Sequence, residues 1–143
     1  KRKKQMLDNI TVDLSDLTDV KTDIVSRYLT DEISYQSIIT ATKKEVYGEL
    51  KLKLKALYPE KDNTAVDALM DDIRDLPREE NLSRRIAVLS VAKILEHNDL
   101  TADAAYYRQI AMAIPFTYYL DTDESGTVGS DEQVIHSNVV FGR

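Results

Sequence analysis

Apolar residues recur at three- and four-residue steps through most of this chain, the spacing that puts them on one face of an α-helix. The longest such run is Tyr35, Ile38, Ile39, Thr42, Val46, Leu50, Leu54 and Leu57. Lys43, Lys44, Lys51 and Lys53 largely occupy the rest of its surface, so the pattern predicts a helix over Ser34–Leu57. Gly48 weakens its middle, and Tyr58-Pro59 ends it, because proline drives the preceding residue away from helical geometry. Leu17, Val20, Ile24 and Tyr28 predict an earlier, shorter helix capped by Ser15 and broken at Thr30-Asp31-Glu32. Val66, Leu69, Met70, Ile73 and Leu76 predict a third, started by Asn63 or Thr64 with Asp67 in a capping-box position and stopped by Pro77.

The next run, starting at Asn81 or Ser83, is apolar on most sides: Ile86, Val88, Leu89, Val91, Ala92, Ile94 and Leu95. A helix apolar all round belongs in the middle of a bundle. His97 falls in its last turn, where the helix dipole favours a cation, which makes it a capping residue rather than a catalyst. After an Asn98-Asp99 turn, Thr101 caps a fifth helix reaching Leu120, with a bend at Pro115. Its small residues at 102, 104, 105, 111 and 113 allow close packing, and Phe116, Tyr118 and Tyr119 read as core or interface. Two stretches change period. Ile10, Val12 and Leu14 alternate with polar residues, a short strand signal, and the stretch from Val134 to Phe141 is β-prone. The fold class expected is therefore mainly α. A small bundle of about five helices spans 15–120, preceded by a basic arm (1–14) and followed by an acidic loop and an extended C-terminal arm (121–143).

The chain has 143 residues, one domain's length, and 43% hydrophobic with 31% charged residues fits a packed core under a polar surface. It contains no cysteine, which excludes disulfides and thiolate metal sites. No apolar run approaches the ~20 residues needed to cross a membrane, and the basic start is not followed by the apolar core of a secretory signal. The net charge is −6, yet Lys1, Arg2, Lys3 and Lys4 open the chain, so the remainder carries −10. Such a body repels phosphate and is a poor general nucleic-acid binder. The basic tetrad suits a contact with DNA or an acidic partner, or a solvated end.

Catalytic signatures are absent from the sequence. There is no glycine-rich phosphate loop and no G-x-S-x-G, and the two histidines, His97 and His136, are far apart. The expectation is not an enzyme. One stretch has ligand spacing: DTDESGTVGSDE places Asp121, Asp123, Ser125 and Thr127 at positions 1, 3, 5 and 7, Gly126 at 6 and Glu132 at 12. That is the order in which an EF-hand loop wraps a calcium ion with oxygen ligands. The alternative is an acidic surface turn, for which Asp, Ser and Gly are the usual residues. A calcium-responsive helical module, with no second loop to pair with, is thus one reading, and a helical regulatory domain is a blander one.

The order of parts resembles the head–tail connector (adaptor, or head-completion) proteins of tailed bacteriophages. The stretches that carry this are YLTDEISYQSIITATKKEVYGELKLKLKALYP, RRIAVLSVAKILEHND and ADAAYYRQIAMAI, followed by an arm ending SNVVFGR. The resemblance implies a structural virion protein of the neck, made in the host cytoplasm. It would form a ring, usually dodecameric, beneath the portal protein, extend the DNA channel without reading sequence, and dock tail or stopper proteins. No cofactor and no membrane are implied. The arm contacts would be Val134, Ile135, Val139, Val140, Phe141 and Arg143. The loop at 121–132 is a departure, since it is not a feature of the family as a whole.

Overall fold

The computed structural model describes residues 10–28, 35–75 and 80–121, together with the backbone of a strand at 134–137. The chain is mainly α, a small helical bundle with a three-stranded antiparallel sheet. Five α-helices are described: α1 (Leu14–Val20), α2 (Tyr35–Leu57), α3 (Asn63–Met70), α4 (Asn81–His97) and α5 (Thr101–Ala113). A π-helical turn covers Ile24–Tyr28, and the strands are β1 (Ile73–Asp75), β2 (Phe116–Leu120) and β3 (Val134–Ser137).

The bundle is organised on α4, whose apolar side chains are buried almost all round. Helices α1, α2 and α5, the π-helical turn and strands β1 and β2 all pack on it. From α2 the buried stripe is Ile38, Ile39, Thr42, Val46, Leu50 and Leu54, the period read from the sequence. Leu57, expected at its end, is instead exposed. From α5 only Ala104 and Ala111 are fully buried, so the close approach that small residues allow is used against α4.

Several boundaries differ from the sequence reading, each for a local reason. Ile10 and Val12 are buried, so the body begins at least there and not after Leu14; they lead into α1 without pairing as a strand among the described residues. Helix α1 is capped by Asp13, not Ser15. The Asp13 carboxylate accepts from the amides of Ser15 and Asp16, while Asp16 accepts from the Asp13 amide at 2.9 Å, a complete capping box. The same contacts hold the Asp13 carboxyl below its ordinary pKa, the Ser15 hydroxyl foremost. The helix stops at Val20 because Lys21 turns extended, which separates it from the π-helical turn. Asp62 caps α3, accepting from the Ala65 amide at 2.9 Å.

The largest correction lies on both sides of α4. Ile73 was expected on the third helix, and Phe116 to Leu120 on the fifth. Both are strands: β1 pairs antiparallel with β2, Ile73 opposite Leu120 and Asp75 opposite Tyr118. Pro115 therefore ends α5 and does not bend it, and the β-prone run Phe-Thr-Tyr-Tyr-Leu goes on as a strand buried along its whole length. Strand β2 is the middle of the sheet, and β3 returns antiparallel along its other edge, with Phe116 opposite Ser137 and Tyr119 opposite Val134.

Candidate functional site

Among the described residues, those singled out from the sequence do not converge on one site. Val134 and Ile135 lie in β3, opposite Tyr119 and Tyr118. The first part of the expected arm is thus a strand of the body's own sheet. Val139, Val140, Phe141 and Arg143 lie outside the described residues, as do Lys1, Arg2, Lys3 and Lys4.

Of the calcium-type positions, Asp121 is described, and Asp123, Ser125, Thr127 and Glu132 lie outside the described residues. Asp121 is buried at the end of β2. Its amide donates to the Asp72 carbonyl at 2.8 Å, extending the β1–β2 ladder, and its carboxylate lies 3.6 Å from Arg74 Nε. The Arg74 guanidinium also donates to the Asp71 and Ile73 carbonyls. A helix–loop–helix calcium site needs a helix on each side of its loop. Here a strand enters the loop and a strand follows it, so the expected entering helix up to Leu120 is corrected to β2. Among the described residues no group of three or more carboxylates or histidines is placed to hold a metal ion.

His97 belongs to an open groove of about 450 Å³ between α2 and α4, lined by Ser37, Ile38, Ala41, Lys93, Glu96 and His97. Its charged rim is paired internally. Lys93 Nζ meets Glu45 at 2.8 Å, and Arg108 holds Glu96 through two bonds, Nε at 2.7 Å and Nη2 at 2.9 Å. The Arg108 contact draws the Glu96 pKa below its usual value, and Glu96 raises that of Arg108.

Arg85 is the residue that periodicity alone did not flag. It sits one turn after Leu82 and one before Leu89, within the apolar stripe of α4, and its side chain is fully buried. Its Nη1 donates to the carbonyl of Ala111 (2.8 Å), which also accepts from the Ile114 amide, and to that of Ile114 (2.9 Å), at the C-terminal end of α5. The guanidinium carbon lies 4.2 Å from the centre of the Phe116 ring, a cation–π contact, and Nη2 is 3.4 Å from Glu49 on α2. Arg85 therefore fixes where α5 stops and β2 starts. An arginine falling on an apolar helical stripe is the signal that would have found it.

What the body offers outward is apolar surface on two helices. On α5, Tyr106 (60% exposed), Met112 (42%) and Ile110 (36%) face solvent, and on α2 Leu52 (71%) and Leu57 (52%) do. The Tyr106 ring is steadied by an edge-on contact with Tyr107, centroids 5.2 Å apart. Both helices pack on α4, and Arg85 Nη2 lies between them, 3.4 Å from Glu49 on α2 and 3.5 Å from Met112 Sδ on α5.

No protein-family model, no curated protein and no solved structure matches the chain.

Proposed function

We propose that this protein is a head–tail connector of a tailed bacteriophage, a ring-forming adaptor that continues the DNA channel below the portal and receives tail or stopper proteins. The observation that carries the reading is the outward face of the bundle: an acidic helical body with large apolar side chains exposed on both helices that flank α4. Apolar side chains of this size left exposed are available for contact between proteins, which suits a subunit that meets neighbours. The sequence resemblance supports the same role. So does the charge, since a wall carrying −10 outside its first four residues repels phosphate and lets a duplex slide past. The mechanism is structural. The bundle packs side by side, while the chain beyond β3, holding Val139, Val140, Phe141 and Arg143, supplies the contact with portal or an adjacent subunit.

Because β3 belongs to the body's sheet, the test truncates the chain after Ser137 and leaves the sheet intact. Full-length protein is expected to co-sediment with portal rings, and the truncated protein to stay in the supernatant with unchanged circular dichroism. Equal co-sedimentation of the two would remove the arm from the mechanism.

A further inference from the structure

We infer that Met112 is an oxidation site whose product is received by Arg85: a two-electron oxidant of the peroxide class converts the thioether to a sulfoxide, and the new oxygen accepts from the guanidinium Nη2. The inference is independent of the connector reading and comes from how Arg85 is used. An arginine carries five N–H donors. Nη1 of Arg85 is well employed, on the carbonyls of Ala111 at 2.8 Å and Ile114 at 2.9 Å. The rest of the guanidinium is poorly served. Nη2 has only long contacts among the described residues, 3.4 Å to Glu49 Oε2 and 3.5 Å to Met112 Sδ, and Nε is buried with no partner among them. A fully buried cation thus keeps unused donor capacity, and the acceptor already standing at it is a weak one, a thioether sulfur.

Met112 is the half-exposed side of this contact. It lies in the last turn of α5 and is 42% exposed, whereas Met70 in α3 is fully buried. A thioether sulfur has a second lone pair besides the one turned to Arg85, and that pair is free for the oxidant. It attacks one peroxide oxygen and the O–O bond breaks. Sulfur is oxidised by two electrons and the peroxide is reduced; the departing hydroxide takes the proton left on the sulfoxide oxygen and leaves as water. The unbranched side chain then re-aims the new oxygen by turning its own bonds, without moving the helix. Methionine oxidation usually disrupts a packed site because it buries a polar group. Here the polar group arrives beside a cation with donors to spare, and a hydrogen bond to a charged donor is of the stronger class. Glu49 gives up its share of Nη2 at little cost, since it is 36% exposed and water can replace the contact. A thiol-dependent sulfoxide reductase restores the thioether, so the change is reversible.

The test treats the full-length protein with hydrogen peroxide and follows each methionine by peptide mass mapping. Met112 is expected to convert ahead of Met70, and methionine sulfoxide reductase to reverse it. The oxidised chain is expected to melt roughly 3–6 °C above the untreated one. Met112→Leu keeps the apolar bulk and removes the sulfur, so its melting is expected not to rise with peroxide, which accounts for oxidation elsewhere in the chain. In NMR spectra of protein carrying isotope-labelled arginine, the Arg85 side-chain signals are expected to shift on oxidation. Those of Arg27, whose side chain is 70% exposed on the π-helical turn, are expected to stay in place.

Met70 converting as fast as Met112 overturns the site. An oxidised chain that melts no higher than the untreated one overturns the contact with Arg85, as do Arg85 signals that stay where they were. A rise that Met112→Leu reproduces assigns the effect to another residue and overturns the inference as well.

Discussion

Replacing Arg85 by methionine keeps most of the side chain's length and volume and removes its charge and its donors, which makes it the sharpest probe of how the body is held together. At the end of α5 the Ile114 carbonyl loses the Arg85 donor and the Ala111 carbonyl keeps only the Ile114 amide, both in a buried setting. The orphaned Ile114 carbonyl costs about 1–3 kcal/mol. The stacking on Phe116 adds about 1–2 kcal/mol. Against this stands the relief of no longer desolvating a guanidinium, and no buried charge is left behind, so the net cost falls to about 1–3 kcal/mol. Glu49 contributes little of it, because the pair is 3.4 Å long and Glu49 is partly exposed. Arg85→Met should therefore lose about 1–3 kcal/mol in urea unfolding followed by circular dichroism, with a fall in Tm of roughly 3–10 °C for a domain of this size. Arg85→Lys should lie between, since one ammonium cannot span both carbonyls and stack on the ring. Arg84→Met, one residue away and exposed, should change stability by no more than about 0.5 kcal/mol. If Arg85→Met were as mild as Arg84→Met, the view of Arg85 as the pin between α5 and β2 would be wrong.

Three further substitutions test other parts of the fold. Asp75 on β1 caps α4 from a strand, accepting from the amides of Leu82 (3.0 Å) and Ser83 (2.9 Å), so Asp75→Ala should lose about 1–2 kcal/mol in the same unfolding assay. Gly48 lies inside α2 with no heavy atom within 4 Å of where a Cβ would stand, so Gly48→Ala should gain up to about 1 kcal/mol, read as a rise in Tm. Burial pushes the Tyr118 hydroxyl up to about 12 from an ordinary value of 10.0. The folded state thus holds this proton more tightly than the unfolded one. Its contribution is intact below pH 10 and is lost as pH rises toward 12, by about 2–3 kcal/mol. Tyr118→Phe should leave neutral stability equal or slightly higher, because the hydroxyl has no hydrogen-bond partner among the described residues, and should flatten that alkaline loss in a pH series of urea midpoints.

The helical body was legible because its stripes are local. Ile38 to Leu54 and Ile86 to Leu95 bury as their spacing requires, and helix period is set within one turn. The sheet was not legible as a sheet. Strand β1 is three residues long, too short to show alternation, and its partner β2 lies about forty residues further on. Without that pairing in view, Phe116 to Leu120 looked like more of the helix before it, although Pro115 and the aromatic run were both marks of a strand. The caps went astray by one or two residues for a simpler reason. Asp13 and Asp62 stand beside Ser15, Asn63 and Thr64, all good capping types, and only the backbone turn decides among them. The α4 cap could not be read locally at all, since it comes from Asp75 on another element.

The exposed faces also follow from the sequence, once the fold is known. Tyr106 and Ile110 repeat at helical spacing like core residues, and nothing local separates an apolar face turned inward from one turned outward. The difference arises because Ala104 and Ala111, not the large residues, meet α4. An acidic bundle with large apolar side chains exposed on α2 and α5 is the basis on which a ring-forming role is proposed.

Light scattering of the purified full-length chain, alone, with calcium and with portal protein, tests that role most directly. The account predicts a large defined oligomer, or a monomer that assembles when portal is added, in either case with no change on adding calcium. A monomer that ignores portal and changes its shape with calcium would contradict it, and would move the functional site to the loop that begins at Asp121.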